Sequence, residues 1–402
     1  MRTAILVLAT IALTAQPRPT AKGVITDAAT NQPITNATVL VYSAGVRTGY
    51  NLFCPTCYTD CGKRATTNDT GEFTIANLSA DLVFDLLVVR DGYSSTWIKK
   101  VDPLANAKPE AKLAKRTSPE NSKQIVRGKV VDARGDAIRD ALIAQRGIIF
   151  DQGRGFGDRD WIDLVAVTNK AGEFEMAYSK PAKAMILQVA PRGMASSLVT
   201  LTTGAERQSI TATNGATVRG RVVNNGKPLA NIELGLSTHS RMSGTVFDDM
   251  RIGTNENGEF AITNVPAGRI YDLFPRMTAL GEKGLSAGVT FVETKDDGQE
   301  VQIGDIQTQP GYTLKGRIVL SDGAAMPSGM RVNLFTDRMP DSQTSILNAD
   351  GTFEFKGLAR GVYSIGPAVK GYIPLDPEKP LEFLIDRDRA DADITLKPGS
   401  RF

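Results

Sequence analysis

Histidine is almost missing from this chain: His239 is the one imidazole in 402 residues. A metal site built from several histidines is therefore excluded, and imidazole acid–base machinery has a single candidate. Cysteine is nearly as scarce, with Cys54, Cys57 and Cys61 as the whole set. Aromatic residues make up 6%, and the net charge is only +3, from 47 basic and 44 acidic residues. That balance gives no basic field for a nucleic acid. Past residue 20 the longest apolar stretch, residues 82–89, is interrupted by Asp85, so no transmembrane helix is expected in the mature chain. What is present, 41% apolar and 23% charged residues, is the composition of a folded protein. The length predicts about two to four domains.

The N-terminus indicates a compartment. Arg2 is followed by an apolar run at residues 4–15 (AILVLATIALTA), which Gln16, Pro17, Arg18 and Pro19 break. This is the layout of a secretory signal peptide, assigned to residues 1–15, and the run is too short to span a bilayer. Cleavage after Ala15 would place Leu13 where a smaller residue is preferred, so the cut point stays open. An uncut membrane anchor is the other reading. The mature protein is expected to be secreted, periplasmic or at the cell surface.

Three elements recur along the chain. The first begins at Gly23 (GVITDAATNQPITNATVLV), Gly128 (GKVVDARGDAIRDALIAQ), Gly220 (GRVVNNGKPLANIELGL) and Gly316 (GRIVLSDGAAMPSGMRVNL). Each copy alternates apolar and polar residues on both sides of a turn, which is a β-hairpin pattern. The second begins at Asn68 (NDTGEFTI), Asn169 (NKAGEFEM), Asn255 (NENGEFAI) and Asn348 (NADGTFEF). Its glycines suit turn positions of positive φ. Its phenylalanines 73, 174, 260 and 353 share a strand face with Ile75, Met176, Ile262 and Phe355, and period two points both residues of each pair into a core. The third begins at Asn264 (NVPAGRIYDLF) and Gly357 (GLARGVYSIG), with a looser copy at Asn77 and a departure in the second unit from Tyr178. A spacing of about 100 residues, with turn signals throughout, suits a small sandwich that closes its own core. The expected fold class is all-β, with four tandem Greek-key β-sandwich domains. Their bounds are 23–115, 125–212, 216–308 and 312–397, and a linker lies at 116–124.

The order of these elements carries a family resemblance. G-x-V-x-D…P-I-x-x-A-x-V at residues 23–39, then D-x-G-x-F, then L/V-x-x-G leading to a tyrosine, resembles the carboxypeptidase regulatory-like domain. That domain belongs to the transthyretin-like, carbohydrate-binding-like sandwiches. The likeness covers nearly all of the mature chain as tandem copies. The second unit departs at Ala137, where the pattern has proline, and the fourth has Thr352 in place of glutamate. Such domains are usually non-catalytic accessories, so the resemblance implies binding, folding assistance or spacing. It implies no catalysis and no cofactor.

Candidate chemistry gathers in the insertions between the first and second elements, at residues 43–65, 146–164, 237–250 and 336–344. Loops at one topological position emerge from one end of each sandwich, where binding groups concentrate. In the first, Cys54-Pro-Thr-Cys57-Tyr-Thr-Asp-Cys61 reads as a disulfide staple of an oxidising compartment. Cys54–Cys61 is the preferred pair because Cys-x-x-Cys rings are tight, with Cys57 as the alternative partner or the free thiol. A thiolate metal site or a redox Cys-x-x-Cys stays open, although one such pair is weak evidence for metal. In the second, Phe156 and Trp161 stand among Asp151, Asp158, Asp160 and Asp163, a combination suited to stacking a sugar ring and bonding its hydroxyls. Phe156, Trp161, Asp158 and Asp160 are the candidate ligand-binding residues, with polysaccharide or a cell-surface component as partner. His239 lies in a polar loop, where exposure is expected rather than catalysis. Asp69 and Asp350 precede turn glycines but lack calcium-loop spacing. The functional expectation is an exported, non-enzymatic binding or scaffold protein. The alternatives are a spacer or adhesion stalk, a hydrolase using loop carboxylates, and a bond-forming adhesin-type domain.

Overall fold

The computed structural model describes residues 18–156, 160–239, 250–336 and 341–400. The signal-peptide assignment to residues 1–15 lies outside them, as does Asp158. Within them the protein is all-β. Its helical elements are a 3-10 turn at Ser122–Gln124 and one short α-helix, Met277–Gly281.

Each copy of the repeat builds the same pair of facing sheets. In the first, Ala21–Asp27 lies between Glu72–Ile75, antiparallel, and Glu110–Leu113, parallel. The facing sheet runs in the order Arg64–Thr66, Thr38–Val46, Leu82–Val89, Thr96–Val101. The pattern recurs. Ile125–Val131 lies between Glu173–Ala177 and Arg207–Thr211. Ala216–Asn224 lies between Glu259–Val265 and Glu300–Gln307, and Tyr312–Leu320 between Thr352–Leu358 and Ile394–Pro398. In every copy the first and last strands are parallel neighbours, which the intervening strands make possible by crossing through the other sheet.

The recurring residues have recurring physical roles. Alternation places Phe73, Phe174, Phe260 and Phe353 inside four separate hydrophobic cores, with Ile75, Met176, Ile262 and Phe355 beside them. Each such ring contributes about 1.5–3 kcal/mol by burial. The glycine of the first element is the cross-strand partner of that ring: Gly23 faces Phe73, Gly128 Phe174, Gly220 Phe260 and Gly316 Phe353. At Gly128 an added Cβ would lie 2.3 Å from the Phe174 ring, so the glycine provides the ring's seat.

The asparagine of the second element closes its own turn. Asn68 Oδ1 accepts the Thr70 and Glu72 amides at 3.1 and 2.8 Å, and Asn169 Oδ1 accepts the Ala171 and Glu173 amides at 2.9 and 3.0 Å. In the fourth sandwich Asp350 Oδ1 takes the Thr352 amide instead, at 3.0 Å. The tyrosines of the third element donate their hydroxyls backward along the chain, Tyr271 to the Pro266 carbonyl at 2.8 Å and Tyr363 to the Ala359 carbonyl at 2.9 Å. Burial pushes the Tyr363 phenol up to about 12.

Candidate functional site at the cysteine loop

The insertion at residues 43–65 leaves the end of Thr38–Val46 and forms two consecutive turns. In one, the Cys57 amide donates to the Cys54 carbonyl at 3.0 Å; in the next, the Cys61 amide donates to the Tyr58 carbonyl at 2.9 Å. The first turn sets Cys54 beside Cys57, with Cα atoms 5.2 Å apart, and these two form the disulfide. The expected Cys54–Cys61 pairing is therefore corrected: Cys61 is the free thiol. The second turn directs Cys61 inward against the first core, where its Sγ donates to the Pro55 carbonyl at 3.4 Å. Burial pushes this thiol up to about 11, so it stays protonated and unreactive at neutral pH. Beside it, the buried Asp60 carboxylate accepts from Arg18 at 3.2 Å, from Lys63 and from the Ser79 amide at 2.8 Å. These bonds fix the base of the loop.

The rest of the loop reaches other sandwiches. The Tyr50 amide donates to the Gly329 carbonyl at 3.1 Å. Arg331 Nη1 donates to the Thr48 carbonyl at 2.8 Å, and Asn333 Nδ2 to Asn51 Oδ1 at 2.9 Å. Arg331 and Asn333 are both buried. Gly49 and Gly329 meet backbone to backbone; a Cβ on Gly49 would lie 1.9 Å from the Gly329 carbonyl oxygen. On the other side of the disulfide, Arg251 of the third sandwich donates to Thr59 Oγ1 at 2.6 Å. The loop thus joins the first sandwich to the third and the fourth.

Sequential neighbours are also fastened. Leu40, Leu87 and Val89 of the first sandwich bury against Val165 and Val167 of the second. Arg116, in the expected linker, binds Asp163 at 2.7 Å and also Glu175. Although burial opposes its charge, the Asp163 and Glu175 carboxylates hold Arg116 above its ordinary value. Asn264 Nδ2 donates to the Gly193 and Asn214 carbonyls, both at 2.9 Å, between the second and third sandwiches. Between the third and fourth, Met277 enters the fourth core while Leu280 of the same helix enters the third. There the buried Asp341 accepts the Met277 amide at 2.6 Å, and its Oδ1 lies 3.1 Å from Arg276 Nε as an ion pair. The Nε–H itself is not aimed to make a hydrogen bond. Burial raises the Asp341 carboxyl above its ordinary value, and Arg276 only partly offsets this.

The second insertion differs from its expected role. Trp161 is only 8% exposed and packs edge-on against Tyr178, with ring centroids 5.3 Å apart. The expectation that it offers a stacking platform is corrected: the indole is part of the second core, because Trp161 bridges to Tyr178 across the sheet edge. Phe156 is 60% exposed and is not joined to Trp161 by any ring contact. Asp160 binds Lys180 at 2.9 Å and accepts from the Tyr178 hydroxyl at 3.4 Å. His239 is half exposed, with Nδ1 2.8 Å from the buried Asp272 and its ring edge-on to Phe291. Among the described residues, no group of histidine, cysteine, aspartate and glutamate is placed to hold a metal ion.

No protein-family model matches the chain, and no curated protein matches it. Among solved structures it is similar to the Bacillus anthracis TIE protein, at 13% identity over 90% of this chain and 68% of that one, with a TM-score of 0.20. It is also similar to a streptococcal ancillary pilin, at 16% identity over 69% of this chain and 100% of that one, with a TM-score of 0.24. The minor pilin of Streptococcus agalactiae matches at 12% identity over 46% of this chain and 98% of that one, with a TM-score of 0.23. Likeness at this level leaves the function to the chain's own residues.

Several residues that make the site carry no sequence signal. Arg251, Arg276 and Asp341 fall outside the recurring elements, and Arg331 and Asn333 lie inside the fourth copy of the first element at positions where the other copies have different residues, so repetition marks none of them. The glycine at 49 is marked only by the tertiary approach of Gly329.

Proposed function

We propose that this chain is an exported, non-enzymatic structural scaffold. In this reading four β-sandwiches, with bounds near 23–115, 125–212, 216–308 and 312–397, are held in one closed arrangement that presents a surface. The observation that carries it is the clasp of the cysteine loop, which returns the first sandwich onto the fourth. An adhesion or spacer role follows from such a body more directly than turnover does. The acidic groups that a hydrolase would use are engaged in structural bonds: Asp160 with Lys180, Asp163 with Arg116, and Asp341 with Arg276. A lysine–carboxamide cross-link of adhesin type needs a desolvated, neutral amine, and among the described residues no lysine is buried. The resemblance to carboxypeptidase regulatory-like domains rests on the three recurring elements, and it is supported by each copy building a sandwich with a core of its own. A glycan ligand at Phe156 and Trp161 loses its support with the burial of Trp161.

Small-angle scattering of the mature chain tests the reading. Four lobes of roughly 13 Å radius of gyration give roughly 25 Å when closed on one another and roughly 40 Å end to end. A value near the larger figure overturns the closed scaffold.

A further inference from the structure

We propose that the Cys54–Cys57 disulfide is a reducible latch, a thiol–disulfide exchange site for a dithiol reductant whose opening releases the first sandwich from the fourth. The inference rests on the closed arrangement proposed above.

Placement carries the argument. Both cysteines are exposed at the outer turn of the loop, so a reductant can reach either sulfur without unfolding a core. The ring they close lies between the two points where the loop is held, Asn51 toward the fourth sandwich and Thr59 toward the third. The chain on either side of the ring is also bound to itself. Asn51 Nδ2 donates to the Tyr58 hydroxyl at 3.4 Å, and the Phe53 and Tyr58 rings meet edge-on at 5.0 Å. The disulfide thus fixes the turn that sets Asn51 and Thr59 at their docking positions. The loop's remaining cysteine does not compete. Cys61 is half-buried and its thiol stays protonated at neutral pH, so exchange is confined to the exposed pair.

The chemistry is an ordinary exchange. A thiolate of the dithiol attacks Cys57 Sγ, the Cys54–Cys57 bond breaks, and Cys54 leaves as a thiolate. The Thr56 hydroxyl, 3.4 Å from Cys54 Sγ, is placed to donate to it before it takes a proton from water. The second thiol of the reductant then attacks its own sulfur in the mixed disulfide. This closes an oxidised cyclic disulfide and releases Cys57. Two electrons and two protons pass from the dithiol to the cysteine pair.

The test uses the mature full-length chain, oxidised and after treatment with dithiothreitol at mildly alkaline pH. Native alkylation should then label Cys54 and Cys57 and leave Cys61 unlabelled. Hydrogen exchange at the Tyr50 amide, which donates to Gly329, should rise roughly 20-fold, the loop-closure factor for so small a ring. Amides within Leu82–Val89 should not change. The Cys54→Ser/Cys57→Ser variant should show the raised exchange without reductant, and Cys61→Ala should keep the response to it. Absence of labelling after native reduction overturns the proposal, as does full labelling with unchanged Tyr50 exchange. A Tyr50 amide already unprotected in the oxidised protein would overturn the closed arrangement itself, and the latch with it.

Discussion

Replacing Asp341 by alanine should open the junction between the third and fourth sandwiches. The carboxylate accepts the Met277 amide and the Ser342 amide, at 2.6 and 2.9 Å, and faces Arg276 at 3.1 Å. Arg276 is itself buried, so truncation leaves two amides without their acceptor and the guanidinium with only the more distant Glu233, at 3.8 Å. Removing one member of a buried pair typically costs about 3–5 kcal/mol. The loss is capped here, because once the two sandwiches separate Arg276 regains water. Hydrogen exchange at the Met277 amide should therefore accelerate by about 100-fold, the low end of that range at roughly 3 kcal/mol, while amides inside Arg331–Thr336 stay protected. The double variant Arg276→Met/Asp341→Leu removes both charges together and should recover most of the loss. The pH dependence follows from burial, which raises the Asp341 carboxyl above its ordinary 3.8. The folded junction then holds the proton more tightly than the unfolded chain does. Its stability is greatest below about pH 4 and falls as pH rises through the raised value, a slope that Asp341→Asn should abolish. If Asp341→Ala leaves Met277 exchange within about threefold of the parent, a loss under about 1 kcal/mol, the ion pair does not hold the junction and the reasoning fails.

Further outcomes follow from single contacts. Gly128→Ala places a Cβ against the buried Phe174 ring and should cost about 1–3 kcal/mol by overpacking, read as a lower urea midpoint for the second sandwich. Trp161→Ala should destabilise that same sandwich by about 3–5 kcal/mol; a stable variant that instead loses polysaccharide binding would restore the stacking platform. Tyr363→Phe removes the bond to the Ala359 carbonyl and should cost about 1 kcal/mol. In the parent, ultraviolet titration should find the Tyr363 phenol ionising only at about 12, a step lost in the variant. Gly49→Ala should lower protection at the Tyr50 amide while leaving the first core intact, since the atoms nearest the added Cβ belong to the Gly329 backbone.

Most of each sandwich was legible because its causes are local. Alternation places Phe260 and Ile262 on one face, and the Asn255 side chain ties a turn whose partners are two and four residues away. The seat that Gly220 provides for Phe260 was half visible: both residues recur, yet nothing in the spacing says they are cross-strand partners. The cysteine loop was visible as an anomaly, while its pairing was not. Ring size alone favoured Cys54–Cys61; the backbone turn at Cys57 and the inward course of Cys61 reversed that preference. Trp161 misled for a related reason. A tryptophan among carboxylates in a glycine-rich insertion reads as exposed, and only its packing against Tyr178 shows that the insertion folds back onto the core.

The sequence by itself determined that the chain is all-β, that it repeats four times, and which residues fill the four cores, because hydrophobic period and turn chemistry act over a few residues. Tertiary structure alone decided that the first sandwich is clasped by the third and fourth. Arg331 reaches Thr48 across 283 residues and Asn333 reaches Asn51 across 282. Each such pair occurs once and follows no period, and it is brought together by the stacking of preformed bodies. The scarce residues met at the outset divide along the same line. His239 ends as the partner of Asp272 on one sheet, and the three cysteines mark the loop where separate sandwiches meet.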